Sequence, residues 1–182
     1  MKFLPTSDAD RAQMLGAIGV SSVDDLFEAA ELAEEASDFA QAERLYRRCV
    51  DLDRTDPAAA FNLANLLRAQ GRHGEAKVFF RLATEIEPGF AEGWYNLAHL
   101  LDVSGSTHEA EKAYGRALEA DPNYADALFN AAMLHFRQDR YREAGTLWER
   151  YLAVDPKGEW ARRARSGLAY CRRVVRFDTP IG

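Results

Sequence analysis

The 182-residue sequence has only two cysteines, Cys49 and Cys171, and four histidines. Two thiols are too few for a disulfide framework, so the chain reads as a protein of a reducing compartment, taken here as cytoplasmic. His73, His99, His108 and His135 fall at no metal-ligand spacing. No glycine-rich phosphate loop is present. No stretch approaches the roughly 18 apolar residues of a membrane-spanning helix. The opening MKFLPTSDAD lacks the apolar segment of a secretory signal. Valine and isoleucine are sparse beside alanine, leucine, glutamate and arginine, which disfavours a sheet. A formal net charge of -6 weighs against phosphate polymers as partners. These absences leave an all-α chain, long enough for one domain with a real core. They supply no catalytic arrangement and require no cofactor and no metal.

What is present is internal repetition. Ala110, Tyr114, Ala117 and Pro122 return one period later, about 34 residues, as Ala144, Trp148, Tyr151 and Pro156. One period earlier they stand as Ala76, Phe80, Ala83 and Pro88. Asp56-Pro57 breaks the proline spacing, but Ala42, Tyr46 and Cys49 restore the register. Arg54 then takes the proline position, and Pro57 opens the next helix, where its missing N–H does no harm. Four units result, 23–56, 57–90, 91–124 and 125–158. The first helices of these units are predicted near 23–36, 57–70, 91–104 and 125–138. The second helices are predicted near 39–52, 73–86, 107–120 and 141–154.

Local chemistry supports this division. Gly71 and Gly105 suit the left-handed residue that ends a helix, with Ser37 and Asp139 in the same place in the outer units. Ser106 with Glu109 fits a capping box, and Ser22 with Asp25 and Asn123 with Asp126 are looser versions. Ala30, Ala64, Ala98 and Ala132 recur on the first helices, and Ala42, Ala76, Ala110 and Ala144 on the second. Small side chains let paired helices approach to roughly 8–10 Å. Leu26, Trp94, Leu128, Tyr46, Phe80, Tyr114 and Trp148 fill the space between units. Residues 159–176 read as a capping helix with Trp160, Ala164, Leu168, Cys171 and Val175 on one face. Arg162, Arg163, Arg165, Arg172, Arg173 and Arg176 stand on the other. Residues 1–22 are expected to form an extension with a short helix over 7–18, carrying Met14, Leu15 and Ile18 and ended by Gly19. Residues 177–182 are expected as a flexible tail.

The repeated residues resemble the tetratricopeptide repeat over 23–158, with Trp94, Leu97, Ala98, Ala110, Tyr114, Ala117 and Pro122 meeting its signature. The resemblance implies a right-handed α-solenoid of four helical hairpins that binds peptides or protein surfaces on its concave side, without catalysis. The start, DADRAQMLGAIGVSSVDDLFE, is similar to the amino-terminal start of glycine dehydrogenase, the glycine-cleavage P-protein. The pyridoxal-phosphate lysine site of that enzyme has no counterpart in this sequence, so no catalytic residue carries over. As residues alone, the segment reads as a short helix, a turn and a capped second helix.

Asn62, Asn96 and Asn130 recur once per unit, with Glu28 in their place in the first. An amide both donates and accepts, so a row of them can hold a peptide backbone whatever its side chains. The row resembles the asparagine ladder of the O-GlcNAc transferase superhelix; the same residues also suit contacts between helices. Three hydrogen bonds at about 0.5–1.5 kcal/mol each fall short of the ~8 kcal/mol of micromolar binding. Apolar anchors must supply the rest. Phe61, Tyr95 and Phe129, with Phe27 before them, serve either as pocket walls or as packing against the next helix. Met133 and Phe136 lie further along the last first-helix. Asn65, Arg68, His99 and Arg137 complete the candidate groove. Phe61 and Tyr95 occupy places where the family's carboxylate clamp uses lysine, which speaks against that clamp.

Asp24, Glu28, Glu31, Glu34 and Glu35 make the first helix acidic and suit a ligand with a basic segment, or simply water. The arginine face of the last helix is open to three readings: solvation, phosphate binding, or weak self-association with the acidic first unit of another copy. His135 is expected as a packed, hydrogen-bonded imidazole, and Cys49 as a buried thiol. The sequence thus points to a non-catalytic scaffold for a protein or peptide ligand. Its alternative is a structural or regulatory subunit that works through its termini. Neither reading involves nucleic acid or a membrane.

Overall fold

The structure, a computed structural model, describes residue 16 and residues 21–177. Nearly all of the expected 7–18 helix with its Gly19 stop, most of the segment resembling glycine dehydrogenase, the Arg176 side chain and the tail from 178 on lie outside the described residues. Phe177, expected in the tail, still belongs to the last helix. Among residues 21–177 nine helices follow one another without a strand. They are α1 (Val23–Glu35), α2 (Phe39–Leu52), α3 (Pro57–Ala69), α4 (His73–Ile86), α5 (Ala91–Val103), α6 (Thr107–Ala120), α7 (Ala125–Arg137), α8 (Tyr141–Val154) and α9 (Ala161–Phe177). The chain is an all-α helical-repeat protein. Each of the eight repeat helices starts at the predicted residue.

Chain length suggested one domain, but the contacts define two compact units, Met1–Pro88 and Gly89–Gly182. Repeat hairpins touch only their neighbours, so compactness follows hairpins rather than chain length. In the first unit α1 packs on α2, α2 on α3 and α3 on α4. In the second the order is α5 on α6, α6 on α7, α7 on α8 and α8 on α9, with α5 also touching α7. All eight recurring alanines are fully buried. A methyl there allows close approach, and a larger side chain would have no room.

Each hairpin turns in the same way. Ser37, Gly71, Gly105 and Asp139 take φ 60, 75, 78 and 60. The next amide reaches back across the helix end: Asp38 to Ala33, Arg72 to Leu67, Ser106 to Leu101 and Arg140 to His135, at 2.8–3.0 Å. This pattern satisfies the last carbonyls of the helix. Two turns achieve it with a side chain in the left-handed region, where glycine is unstrained. Ser37→Gly should therefore raise stability by about 0.5–1 kcal/mol, read as a higher urea midpoint with unchanged slope.

The caps depart from expectation in two places. Ser22 accepts from the Asp25 amide as predicted (3.0 Å). Ser106, by contrast, makes no capping bond. Its backbone is not extended (ψ 59), and from a similar conformation only the longer Asp38 side chain reaches, accepting from the Gln41 amide at 3.0 Å. The last hairpin starts at Ala125 as predicted, but its N-cap is Tyr124 and not Asn123. The Asn123 amide instead donates to Asp121 within its turn (2.9 Å).

Ion pairs tie second helices together with a two-hairpin period that the single-repeat reading missed. In the first unit Arg72 pairs with Glu43 (2.6 Å) and Glu75 (2.7 Å), and Arg47 bridges the same two carboxylates. Burial pushes the Glu43 carboxyl up, but Arg72 and Arg47 outweigh it and hold the group below its ordinary value. In the second unit Arg140 pairs with Glu111 (2.7 Å) in the matching positions.

The capping helix is part of the core. Ala161, Ala164, Leu168 and Cys171 join Leu128, Phe129, Ala132, Ala144, Trp148 and Tyr151 in one cluster. Trp160, expected on the buried face, stays 40 % exposed, and Ala161 takes the inner position. Gly167 lies against the far edge of the Trp148 indole, where a Cβ would overlap the ring.

Candidate functional site

Two clefts open beside the first helices, one in each unit. The cleft of the second unit has a volume of about 390 Å³ and is lined by residues of α5, α7 and the start of α9. Tyr95 and His99 come from α5; Asp126, Phe129, Asn130, Met133 and Arg137 from α7; Trp160 and Arg163 from the capping segment. Six of the predicted site residues thus meet in one place: Tyr95, His99, Phe129, Asn130, Met133 and Arg137.

The walls are aromatic. The Phe129 ring stacks on Trp160 at 5.4 Å and leans on Tyr151 at 5.5 Å. Tyr95 meets Tyr124 edge-on at 5.2 Å and lies 6.3 Å from His99. Of the two roles open to these rings, Phe129 fills both: it is buried against its neighbours and still forms part of the wall. An apolar wall with few polar groups is the usual make-up of a recognition pocket.

The polar groups have defined states. The Asn130 amide donates to the Tyr95 hydroxyl (3.2 Å) and to the Asp126 carbonyl (3.0 Å). Both amide hydrogens are thereby used, and Oδ1 is left as an acceptor for an incoming N–H. Arg137 holds both oxygens of Asp102, at 2.5 and 2.6 Å, which compensates its charge. Tyr114 is buried behind α5, its hydroxyl without a hydrogen-bond partner. Burial foremost, then the nearby Asp102 carboxylate, raises the pKa of that phenol, so it stays neutral.

The cleft of the first unit, about 370 Å³, is polar: Glu31, Glu34, Glu35, Tyr46, Asn62 and Asn65 line it. Tyr46 donates to Glu34 (3.0 Å). Its phenol is pushed up by burial first and by Glu34 next, while Asn62 opposes the shift. Asn65 accepts from Arg68 (3.1 Å). The groove residues of this unit are therefore only partly together. Phe61 is 9 % exposed, packs edge-on against Phe80 at 5.7 Å and lines neither cleft.

The asparagine row is uneven. Asn62 borders the first cleft and Asn130 the second, but Asn96 is 6 % exposed and lines neither. Its place in the groove is corrected accordingly: burial keeps it from direct contact with a ligand. Equal sequence spacing did not give equal exposure. Asp126, Trp160 and Arg163 were not read as site residues. The signal for Trp160 and Arg163 was their place just past the last repeat, where the next first-helix would stand.

His135 also differs from expectation. Expected packed and hydrogen-bonded, it is only half-buried and Nδ1 has no partner, and burial, then the Arg140 charge, lowers its pKa. Cys49 is buried, and burial pushes its thiol up to about 12, which makes it a poor nucleophile. Among the described residues no group of three His, Cys, Asp or Glu side chains is placed to hold a metal ion. No described helix is long and apolar enough to cross a membrane.

Comparison with known proteins agrees with this architecture. The tetratricopeptide repeat profile matches residues 33–100 and 103–168, well over half of the chain. A MamA crystal structure is similar at TM-score 0.72 and 17 % identity, covering 85 % of this chain and 87 % of that one. A second MamA structure gives 0.71 and 18 %, over 80 % and 84 %. A tetratricopeptide repeat protein from Parabacteroides merdae gives 0.74 and 22 %, over 84 % of this chain and 60 % of that chain. At these identities the likeness is one of fold. No curated protein matches the sequence.

Proposed function

Because the chain belongs to the tetratricopeptide-repeat family, whose members serve as protein-interaction scaffolds, we propose that it holds an extended peptide of a partner protein in the cleft between α5, α7 and α9. The observation that carries this reading is the pairing of a half-exposed stacked ring, Trp160 on Phe129, with the Asn130 carbonyl across the same cleft. The ring takes an apolar side chain, and the carbonyl accepts a backbone N–H. The acceptor alone contributes about 0.5–1.5 kcal/mol. Most of the affinity therefore comes from burying Trp160, Met133 and the ligand side chain against each other.

A peptide selected from a random display library against the intact chain tests the proposal. Trp160→Ala should weaken its binding by about tenfold or more, and Asn130→Ala by severalfold, in fluorescence anisotropy. An unchanged affinity in both variants, with helical circular dichroism intact, would reject the cleft as the binding site. A second reading, a structural or regulatory subunit acting through its termini, gains support from one feature, the arginine face of α9.

A further inference from the structure

We propose that the chain associates with further copies of itself head to tail, the arginine face of α9 in one molecule seating on the acidic face of α1 in the next. Asp24, Glu28, Glu31 and Glu35 follow the spacing i, i+4, i+7, i+11 and form one exposed line on α1. At 1.5 Å rise per residue the line is about 16 Å long. The helix, VDDLFEAAELAEE, contains no lysine or arginine. Among the described residues these four carboxylates enter no ion pair. Their mutual repulsion, and Glu35 at the negative end of the helix dipole, work against α1 in the isolated chain.

The α9 sequence, ARRARSGLAYCRRVVRF, contains no aspartate or glutamate. Arg162, Arg165, Arg172 and Arg173 stand exposed along one side, over the same length of about 16 Å. Arg172 pairs with Glu149 (2.8 Å), and Arg165 donates to the Pro156 carbonyl. Arg173 rests over the Tyr170 ring (5.5 Å). Among the described residues, Arg162, Arg165 and Arg173 therefore have no carboxylate partner. The exposed Ser166 and Ala169 keep the middle of this side shallow, so a second helix can come close. Each line also borders one exposed apolar side chain: Leu32, 65 % exposed, on α1 and Tyr170 on α9.

Two partners of opposite chemistry compete for an arginine face, a polyanion and an acidic protein surface. The chain's own net charge of -6 repels a polyanion. Another copy carries the same -6, so both candidates meet long-range repulsion. An acidic line of matching length on that copy offsets it at close range with complementary charge and an adjoining apolar contact, Leu32 to Tyr170. Such a contact joins unlike surfaces, so it propagates until a ring closes. Its charges are solvent-exposed, so it is weak and salt-sensitive.

Sedimentation equilibrium of the full chain, at about 25 mM and about 500 mM sodium chloride, tests the proposal. Concentration-dependent association is expected at low salt, with dispersal at high salt. The variant D24R/E28R/E35R and the variant R162E/R165E/R173E should each associate at least about tenfold more weakly. Mixed together they should associate again, since the reversed α1 of one now complements the reversed α9 of the other. Circular dichroism verifies that both keep their helices; a variant that does not is replaced by its glutamine counterpart, which should weaken association in the same direction. A wild-type chain that stays monomeric at low salt would overturn the proposal. So would variants that associate like wild type, or a mixture that fails to recover. Loss of RNA or anionic-vesicle binding in the α9 variant, with sedimentation unchanged, would also overturn it.

Discussion

Replacing Trp148 by alanine is expected to destabilise the Gly89–Gly182 unit by about 3–5 kcal/mol, the largest effect foreseen for any single substitution. The side chain is 1 % exposed and lies 5.3 Å from the Phe136 ring. Its far edge carries Gly167 of α9. Removing it opens a cavity where α7, α8 and α9 meet, and rigid helices cannot close such a gap fully. The indole Nε1 has no hydrogen-bond partner, so the ring acts here through its volume. Trp148→Phe should accordingly cost much less than Trp148→Ala, because it keeps most of the packing and deletes an unsatisfied donor. Urea denaturation of the full chain measures both. Equal losses for the two variants would mean that the indole N–H has a role the geometry does not account for.

Gly167→Leu is expected to cost about 1–3 kcal/mol by overpacking, despite the better helix propensity of leucine. A single Cβ at this position already meets the Trp148 ring. The ring is hemmed in by Phe136, so α9 must lift away from α8. Hydrogen exchange of the α9 amides should quicken before that of α6, because the last helix has one neighbour to lose. The two substitutions are coupled. In Gly167→Leu with Trp148→Ala the new side chain enters the space the indole vacates, and the combined loss should fall short of the sum by 1 kcal/mol or more. A strictly additive pair would show that Gly167 does not owe its size to Trp148.

Most of the helical scaffold was legible in the sequence because the repeat constrains several features at once. The period, the buried alanines and the left-handed turn at Ser37, Gly71, Gly105 and Asp139 all select the same boundaries. Agreement at several levels is what makes a local reading dependable. The clefts were less legible. Asn62, Asn96 and Asn130 share a register, but exposure depends on what the neighbouring helices put over each position, and the period says nothing of that. Asn96 is covered, while Asn130 is fixed by Tyr95 and kept at the surface. Trp160 and Arg163 enter the second cleft from outside the four repeats, so only their place just past the last one pointed to them. The pairs Arg72–Glu43 and Arg140–Glu111 could have been found by comparing alternate hairpins rather than adjacent ones. The closeness of Gly167 to Trp148 left no sequence signal, since the contact depends on how α9 docks.

The account turns on where a bound peptide sits. Trp94, Trp148 and Trp160 are the three tryptophans of the chain, and their indole N–H resonances report on three different environments. Titrating a library-selected peptide into the ¹⁵N-labelled full chain should move the Trp160 indole and the Asn130 side-chain amide together, while the buried Trp148 indole stays still. Saturable binding that leaves Trp160 and Asn130 unmoved, with shifts confined to other helices, would contradict it.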